Sequence, residues 1–465
     1  MTRVYDAGRM MRDEESASFL SQAACRDLIA RARRFARSGG DTTFAIRSTA
    51  TGSLRWARNR VSAGSDTRDL RLTITRTADG MSAGYQLNQS DDASLRAAVE
   101  SAEWFLQSQQ PVPARSAHAY DAPHPRPAVF SDATYQLSPT ARSDAAQPLM
   151  TLAEEAGMLS AGYIQVQAIG VMVDLGNGLE RYYPYTTAEY TVTTRDARGT
   201  GSGWAGVDAF DWNRIDTVAL SRVALAKCLA SRDPVAIEPG RYTAILEPQA
   251  AADFARFVLN PPIFRRDRAE MSRGHPYGTP TQGLTKIGER MLDVRISITT
   301  DVMDPELGAV PFDWSGEPYL ATRWFDRGVL TNIAYRHEYA VRRLGKNDPA
   351  LNRGSFRMSG GTASLDDMIA GTERGVLITR FDGLTLVDAS SLLLSGYTRD
   401  GLWLIERGRI SKAIKNFRIS ESPLIALNNV EQLGVPVRVY SPEAPIVVPP
   451  LKVRDFSLVA LADSV

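Results

Sequence analysis

Between Arg241 and about residue 460 the chain is a succession of strand-type runs: RYTAILE, LDVRISITTD, YLATRWFD followed by Gly328-Val329-Leu330, GVLITRF, LTLVD, LLLSGYTRDGLWLIERG, KAIKNFRIS and PIVVPP. Alternating or continuous apolar runs of this length, separated by turn residues, commit the whole stretch to a β-rich domain. Helical spacing is confined there chiefly to PQAAADFARFVL and ESPLIALNNVEQLG. Pro248 falls where a first helical turn would begin, a position at which its missing N–H costs nothing. No repeat with solenoid or propeller spacing is present.

The N-terminal half has a different texture. Ala24, Leu28, Ala32 and Phe35 follow a capping Ser21 at helical spacing, and Arg31, Arg33, Arg34 and Arg37 read as the solvated face of that helix. TTFAIRST, SLRWARNR and LRLTITRT have period two, and Asp79-Gly80 turns the last of them into MSAGYQLN as a hairpin. A second helix carries Leu95, Ala98, Val99, Ala102 and Phe105 on one face. After Pro111, Pro113, Pro123, Pro125, Pro127 and Pro139 come a short helix around LMTLAEEAGML and two long strands either side of Gly176-Asn177-Gly178. The glycine-rich GTGSGWAG and a helix from about Trp212 to Ser231 complete this part. The expected fold class is α+β: N-terminal mixed α/β units followed by a β-rich C-terminal domain. Its parts are an N-terminal α+β domain at 1–108, a Pro-rich linker at 109–140, a middle α+β domain at 141–232 and the β-rich domain at 239–460.

Composition limits the chemistry. Among 465 residues there are only four histidines and two cysteines, and Lys+Arg 54 against Asp+Glu 53 leaves a formal charge of +1. A balance so close to neutral gives no global case for binding nucleic acid or an anionic membrane. The start, MTRVYDAGRMMRDEE, has no apolar signal core, and no uncharged apolar run approaches the ~18 residues of a bilayer span, so a cytoplasmic protein is expected. Cys25 and Cys228 each lie in helical apolar spacing and read as buried, unpaired residues.

No familiar constellation supplies an active site. His337-Glu338 opens like H-E-x-x-H, but Val341 stands where the second histidine belongs, so His337 reads as hydrogen-bonded between Tyr335 and Tyr339. His118, Asp121 and His124 are spaced like ligands inside the linker, a poor place to hold metal geometry, and His275 stands alone in a turn. Gly201, Gly203 and Gly206 match G-x-G-x-x-G without the helix that must follow, and read as a tight β-turn region. Gly345-Lys346 is followed by Asn347, not the Ser or Thr of a phosphate loop, and Asp301, Asp304 and Glu306 read as an acidic turn. There is no G-x-S-x-G elbow.

Longer segments carry more. RWARNRVSAGSDTRDLRLTITR, RGTGSGWAG, KIGERMLDVRISITTD, FDWSGEP, RWFDRGVLTNIAYRHEYAVRRLG and, most specifically, LLLSGYTRDGLWLIERGRISKAIKNFRISESPLIALNNVEQLG occur in an order that resembles the TldD/PmbA family, from about residue 40 to residue 455. The resemblance implies a zinc peptidase built from two similar subunits. The TldD-type chain carries H-E-x-x-x-H and a later cysteine as its zinc site, with the glutamate as general base; the PmbA/TldE-type chain lacks them. In this sequence Glu247, Pro248 and Ala252 stand at the first-histidine, glutamate and second-histidine positions; no histidine lies between Arg241 and Gly274, and no cysteine follows Cys228.

The resemblance therefore implies a PmbA/TldE-type subunit with no catalytic residues, metal or cofactor of its own. Zinc would belong to a TldD-type partner in a heterodimer acting on small or unfolded peptides. The alternative is a stand-alone homodimer that binds peptides without cleaving them; a third possibility is residual hydrolysis through Glu247 and His337. Candidates for peptide or partner contact are Asp313, Gly316 and Pro318 in FDWSGEP, and Arg399, Asp400 and Asn416 in the most specific stretch. The family's link to modulation of DNA gyrase is not matched by any nucleic-acid motif in this chain, so no direct contact with nucleic acid is expected.

Overall fold

The structure, a computed structural model, describes residues 19–108, 112–113 and 125–462. His118, Asp121 and His124 lie outside them. The first part of the chain contributes helix α1 (Gln22–Arg33), strands β1 (Asp41–Ala57), β2 (Arg60–Ala78) and β3 (Met81–Leu87), helix α2 (Asp92–Ser108) and the short β4 (Val112–Pro113). Helices α3 (Asp132–Tyr135) and α4 (Pro139–Glu155) lead into β5 (Met158–Asp174), β6 (Glu180–Asp196) and β7 (Ser202–Ala209), followed by α5 (Thr217–Ala230). TTFAIRST and SLRWARNR are thus parts of one strand and its turn, in which Arg58 and Asn59 both have positive φ, at 51° and 60°.

The two α+β stretches read as separate units meet in one sheet. Its order is β4-β3-β2-β1-β5-β6-β7, and β1 pairs with β5 from Phe44↔Asp174 to Ala57↔Ala161. The boundary expected at 109–140 is therefore crossed by backbone hydrogen bonds. Within that stretch, α3 is capped by Ser131 and α4 by Ser138, and Pro139 begins α4, so its C-terminal part is helical rather than extended. Strand periodicity sorts the apolar residues: Ile169, Val171, Val173, Tyr183 and Tyr185 face Val310 and Phe312 of the C-terminal part, while the opposite face carries two helix-covered clusters side by side. Phe44, Ile46, Leu72 and Ile74 pack with Cys25, Leu28, Leu95 and Val99 of α1 and α2. Trp56, Ile164, Tyr190 and Val192 pack with Leu149, Met150 and Ala224 of α4 and α5. Each such side chain fully withdrawn from water contributes about 1.5–3 kcal/mol. Cys25 and Cys228 are both buried and free.

In the C-terminal part, β8 (Gly240–Leu246) runs into helix α6 (Pro248–Ala255). Strands β9 (Ile298–Thr300), β10 (Thr322–Asp326), β11 (Val329–Leu330), β12 (Phe356–Met358), β13 (Arg374–Asp388), β14 (Leu393–Glu406), β15 (Arg409–Ala413), β16 (Phe417–Glu421), β17 (Val430–Leu433), β18 (Val437–Arg438), β19 (Ile446–Val448) and β20 (Leu451–Leu461) follow. Pairings β13–β8, β8–β20, β20–β16, β16–β14 and β14–β13 close a ring, which leaves those strands few free edges. A smaller sheet, β11-β10-β9-β12-β19-β18, lies beside it. GVLITRF and LTLVD form one strand, and of ESPLIALNNVEQLG only Pro423–Ala426 is helical. The whole is an α+β fold with a β-rich C-terminal region. No helix among the described residues is long and apolar enough to cross a membrane.

The glycine-rich segment is not the tight turn expected from its composition: Gly203 and Gly206 lie in β7. A Cβ on Gly203 would stand 2.1 Å from the Ala224 carbonyl oxygen of α5, and one on Gly201 would stand 2.6 Å from that of Cys228. The glycines let helix and strand approach closely. Gly203→Ala should therefore cost about 1–3 kcal/mol in urea unfolding. Gly64→Ala, whose Cβ would meet nothing nearer than 3.6 Å, should cost little. Equal stability of the two variants would contradict this packing.

Candidate functional site

The segment at the family's motif position is the β8-to-α6 junction. Glu247 is the residue before the helix, its side chain makes no capping bond, and Pro248 takes the first helical position. The Glu247 carboxylate instead accepts from Lys227 Nζ of α5 at 2.6 Å, both side chains being largely withdrawn from solvent. Ala252 is 2 % exposed among Ala250, Ala251, Phe254 and Ala255. Phe254 meets the Phe381 and Phe456 rings at 6.0 and 5.7 Å. Zinc does not fit here: the donor set is one carboxylate already held by an ammonium, a proline and a methyl group. Among the described residues no group of three or more His, Cys, Asp or Glu is placed to hold a metal ion.

Beside this junction is a cleft of about 710 Å³. One wall is the polar side of α6 and the turn after it, with Gln249, Asp253, Arg256 and Asn260; another is β13 from Arg380 to Leu384. The segment Tyr440–Ala444 and Trp204 of β7 close it, so both halves of the chain contribute. Asp253 accepts from Gln249 Nε2 at 2.9 Å and from the Phe381 N–H at 3.1 Å, and burial pushes its carboxyl pKa up. The Arg380 guanidinium lies 5.0 Å from the Trp204 ring centre, and that ring is edge-on to Tyr440 at 5.9 Å.

The wall that carries Tyr440 is pinned to the N-terminal sheet. Tyr440 donates to Glu189 Oε2 at 2.7 Å and Arg438 Nη2 meets Asp208 Oδ2 at 2.5 Å. The Ser441 N–H donates to Asp208 Oδ1 at 2.6 Å. Gln249 completes the contact, accepting from Tyr440 N and donating to Tyr440 O. Glu189 also accepts from Gln165 Nε2 at 2.9 Å, and its burial raises its pKa despite the Tyr440 bond.

The residues singled out in the sequence fall into two separate groups. Asp313 organises the FDWSGEP turn: its Oδ1 accepts from the N–H groups of Ser315 and Glu317, and its Oδ2 from Arg336 Nη2 at 2.7 Å. Gly316 has φ 76° and faces Val173 of β5 and Leu175 just after it, while Pro318 bridges back to Phe312. His337 is nearby; its backbone N–H donates to Glu317, and its Nδ1 lies 2.6 Å from the Asn347 carbonyl oxygen. The Tyr335 and Tyr339 rings lie 5.9 Å from one another. Asp301, Asp304 and Glu306 form a turn in which Arg357 grips Asp304 and Glu306.

In the second group Asp400, only 3 % exposed and with φ 56°, accepts from Ser202 Oγ of β7 at 2.5 Å and pairs with Arg380 Nε at 3.0 Å. It ties the two halves together. Arg399 pairs with Asp382 at 2.9 Å, and Asn416 accepts from Thr398 Oγ1; Asn416 and Asp400 line a second hollow of about 470 Å³. Of the six contact candidates none lines the larger cleft, although Arg399 and Asp400 hold its Asp382 and Arg380. The cleft residues missed in the sequence are Trp204, Asp253, Arg256, Arg353, Arg380 and Tyr440. The spacing Gln249, Asp253, Arg256, a polar stripe on an otherwise alanine- and phenylalanine-rich helix, was the available signal.

Residues 239–460 match the family model of the PmbA/TldA metallopeptidase C-terminal domain. This region of the chain belongs to the TldD/PmbA family. Several solved structures share the fold, among them the following three. A proposed modulator of DNA gyrase from Bacteroides thetaiotaomicron is 17% identical with TM-score 0.76, covering 95% of this chain and 100% of that one. TldE from Thermococcus kodakarensis is 17% identical with TM-score 0.74, covering 93% and 99%. A proposed modulator of DNA gyrase from Thermotoga maritima is 18% identical with TM-score 0.75, covering 93% and 98%. No curated protein matches the sequence significantly.

The raised Glu189 carboxyl sets a pH dependence. Between the ordinary glutamate value and the higher folded value, the folded state binds more protons than the unfolded one, so stability falls as pH rises through that window. Glu189→Gln should therefore gain stability relative to wild type across the same window in urea melts at a series of pH values. Parallel stability curves for the two proteins would rule this out.

Proposed function

We propose that this chain is the non-catalytic, TldE-type subunit of a heterodimeric cytosolic zinc peptidase of the TldD/PmbA family, acting on small or unfolded peptides. The observation that carries this reading is the state of the motif segment. Glu247 is neutralised by Lys227, Pro248 stands where a general base is needed, and Ala252 is packed into the core. A proline cannot take a proton from water and a methyl group cannot ligate zinc. The metal and the base then come from the TldD-type partner. What this chain retains is the scaffold and a cleft between its two halves, next to the former motif, which suits a role in holding peptide rather than cutting it.

Co-expression with a TldD-type chain bearing an intact H-E-x-x-x-H is the direct test. The two should co-purify, and peptide cleavage by the pair should exceed that of either chain alone by orders of magnitude. The isolated chain should bind no stoichiometric zinc and cleave nothing. Chelator-sensitive cleavage by the isolated chain, or a partner indifferent to its presence, would sink the proposal. A homodimer of unchanged mass in the partner's presence would favour the stand-alone peptide-binding reading.

A further inference from the structure

The charges lining the large cleft are distributed in a way the scaffold role leaves unused. Three arginines, Arg256, Arg353 and Arg380, share it with three carboxylates, Asp253, Asp382 and Glu443. Some of these are committed: Arg380 pairs with Asp400 at 3.0 Å, Arg399 pairs with Asp382 at 2.9 Å, and Asp253 is held by Gln249 and the Phe381 N–H. Among the described residues Arg256 and Arg353 form no ion pair. Arg256 lies over the Phe257 ring at 5.5 Å, and Arg353 reaches the Val310 carbonyl at 3.5 Å. Glu443, on the Tyr440–Ala444 wall, likewise forms no ion pair among the described residues.

Two guanidinium groups without an ion pair, of which Arg256 acts on Asp253 only through space, and one carboxylate without an ion pair therefore line the same cleft. A guanidinium offers a planar fork of donors that matches a carboxylate. Three acidic groups in the same lining repel a dianion or polyanion, whereas a ligand with one charge of each sign meets complementary groups. The Trp204, Tyr440 and Phe257 rings add apolar surface for a side chain, and about 710 Å³ is within the range of small-ligand sites. We infer that this cleft binds a short zwitterionic peptide, its C-terminal carboxylate on Arg256 and Arg353 and its ammonium group toward Glu443.

The choice of a peptide rests on the function proposed above; the requirement for both end charges rests on the cleft itself. Isothermal titration of the isolated full chain with Gly-Gly-Phe, its C-terminal amide, its N-acetyl form and inorganic phosphate tests it. The free peptide should bind, and each capped form should bind roughly tenfold or more weakly. Arg256→Ala and Arg353→Ala should weaken the free peptide by a similar factor while leaving the amide unchanged, a selectivity that a merely structural loss would not produce. The capped peptides need no variant, so the test survives a variant that fails to fold. Equal binding of acid and amide, displacement of the peptide by phosphate, or no binding of any peptide at millimolar concentration would overturn the inference. Because the isolated chain is used, failure to pair with a TldD-type subunit leaves this outcome intact, and the converse also holds.

Discussion

The pairing of β1 with β5 is the contact on which the rest of the molecule is assembled. It joins residues more than a hundred positions apart, from Phe44↔Asp174 to Ala57↔Ala161, and makes one seven-stranded sheet of two stretches of chain. Once that sheet exists, helices α1, α2, α4 and α5 cover one of its faces, and from the other β6 and β7 present Glu189, Asp208 and Ser202 to the C-terminal part. Those groups would be costly to bury alone. Tyr440, Arg438 and Ser441 satisfy two of them, and Asp400 accepts from the third. The cleft is the space left where this docking does not fill in.

The β8-to-α6 segment sits at the edge of that docking, and its residues are matched to their surroundings. Where zinc ligands would project polar groups, Ala252 contributes only a methyl to the core beside Phe254. Where a first ligand would stand, Glu247 is used to tie β8 to α5 through Lys227. A buried ion pair of this kind is modest in net stability, but removing one partner leaves a charge stranded.

Local periodicity made the individual strands and helices legible: the Asp79-Gly80 hairpin, the capped α1 and the long β5–β6 pair all follow from spacing and turn residues. Long-range pairing was not legible, because nothing in Phe44 or Asp174 announces the other. The proline count near residue 125 argued for an extended linker, yet Ser131 and Ser138 cap helices there and Pro139 starts one. The glycines at 201–206 suggested a turn, because a single sequence does not reveal that a helix backbone lies against them. At the site, the absence of histidine from the β8-to-α6 segment could be read from residue identities, but the partners of Asp313 and Asp400 could not. Only their partners, Arg336 for one and Ser202 and Arg380 for the other, show them organising a turn and joining two halves.

The closed ring of the C-terminal sheet has a consequence for the order of events during synthesis. Strand β8 pairs on one side with β20, the last strand of the chain, from Leu246↔Leu451 to Gly240↔Leu458. Until that final segment has left the ribosome, β8 presents a bare edge, and α6 lacks the Phe456 ring against which Phe254 packs. The ring therefore cannot close stepwise as it is translated. A chain interrupted before residue 451 would leave an adhesive strand beside a finished N-terminal sheet, a species that chaperones would have to shield.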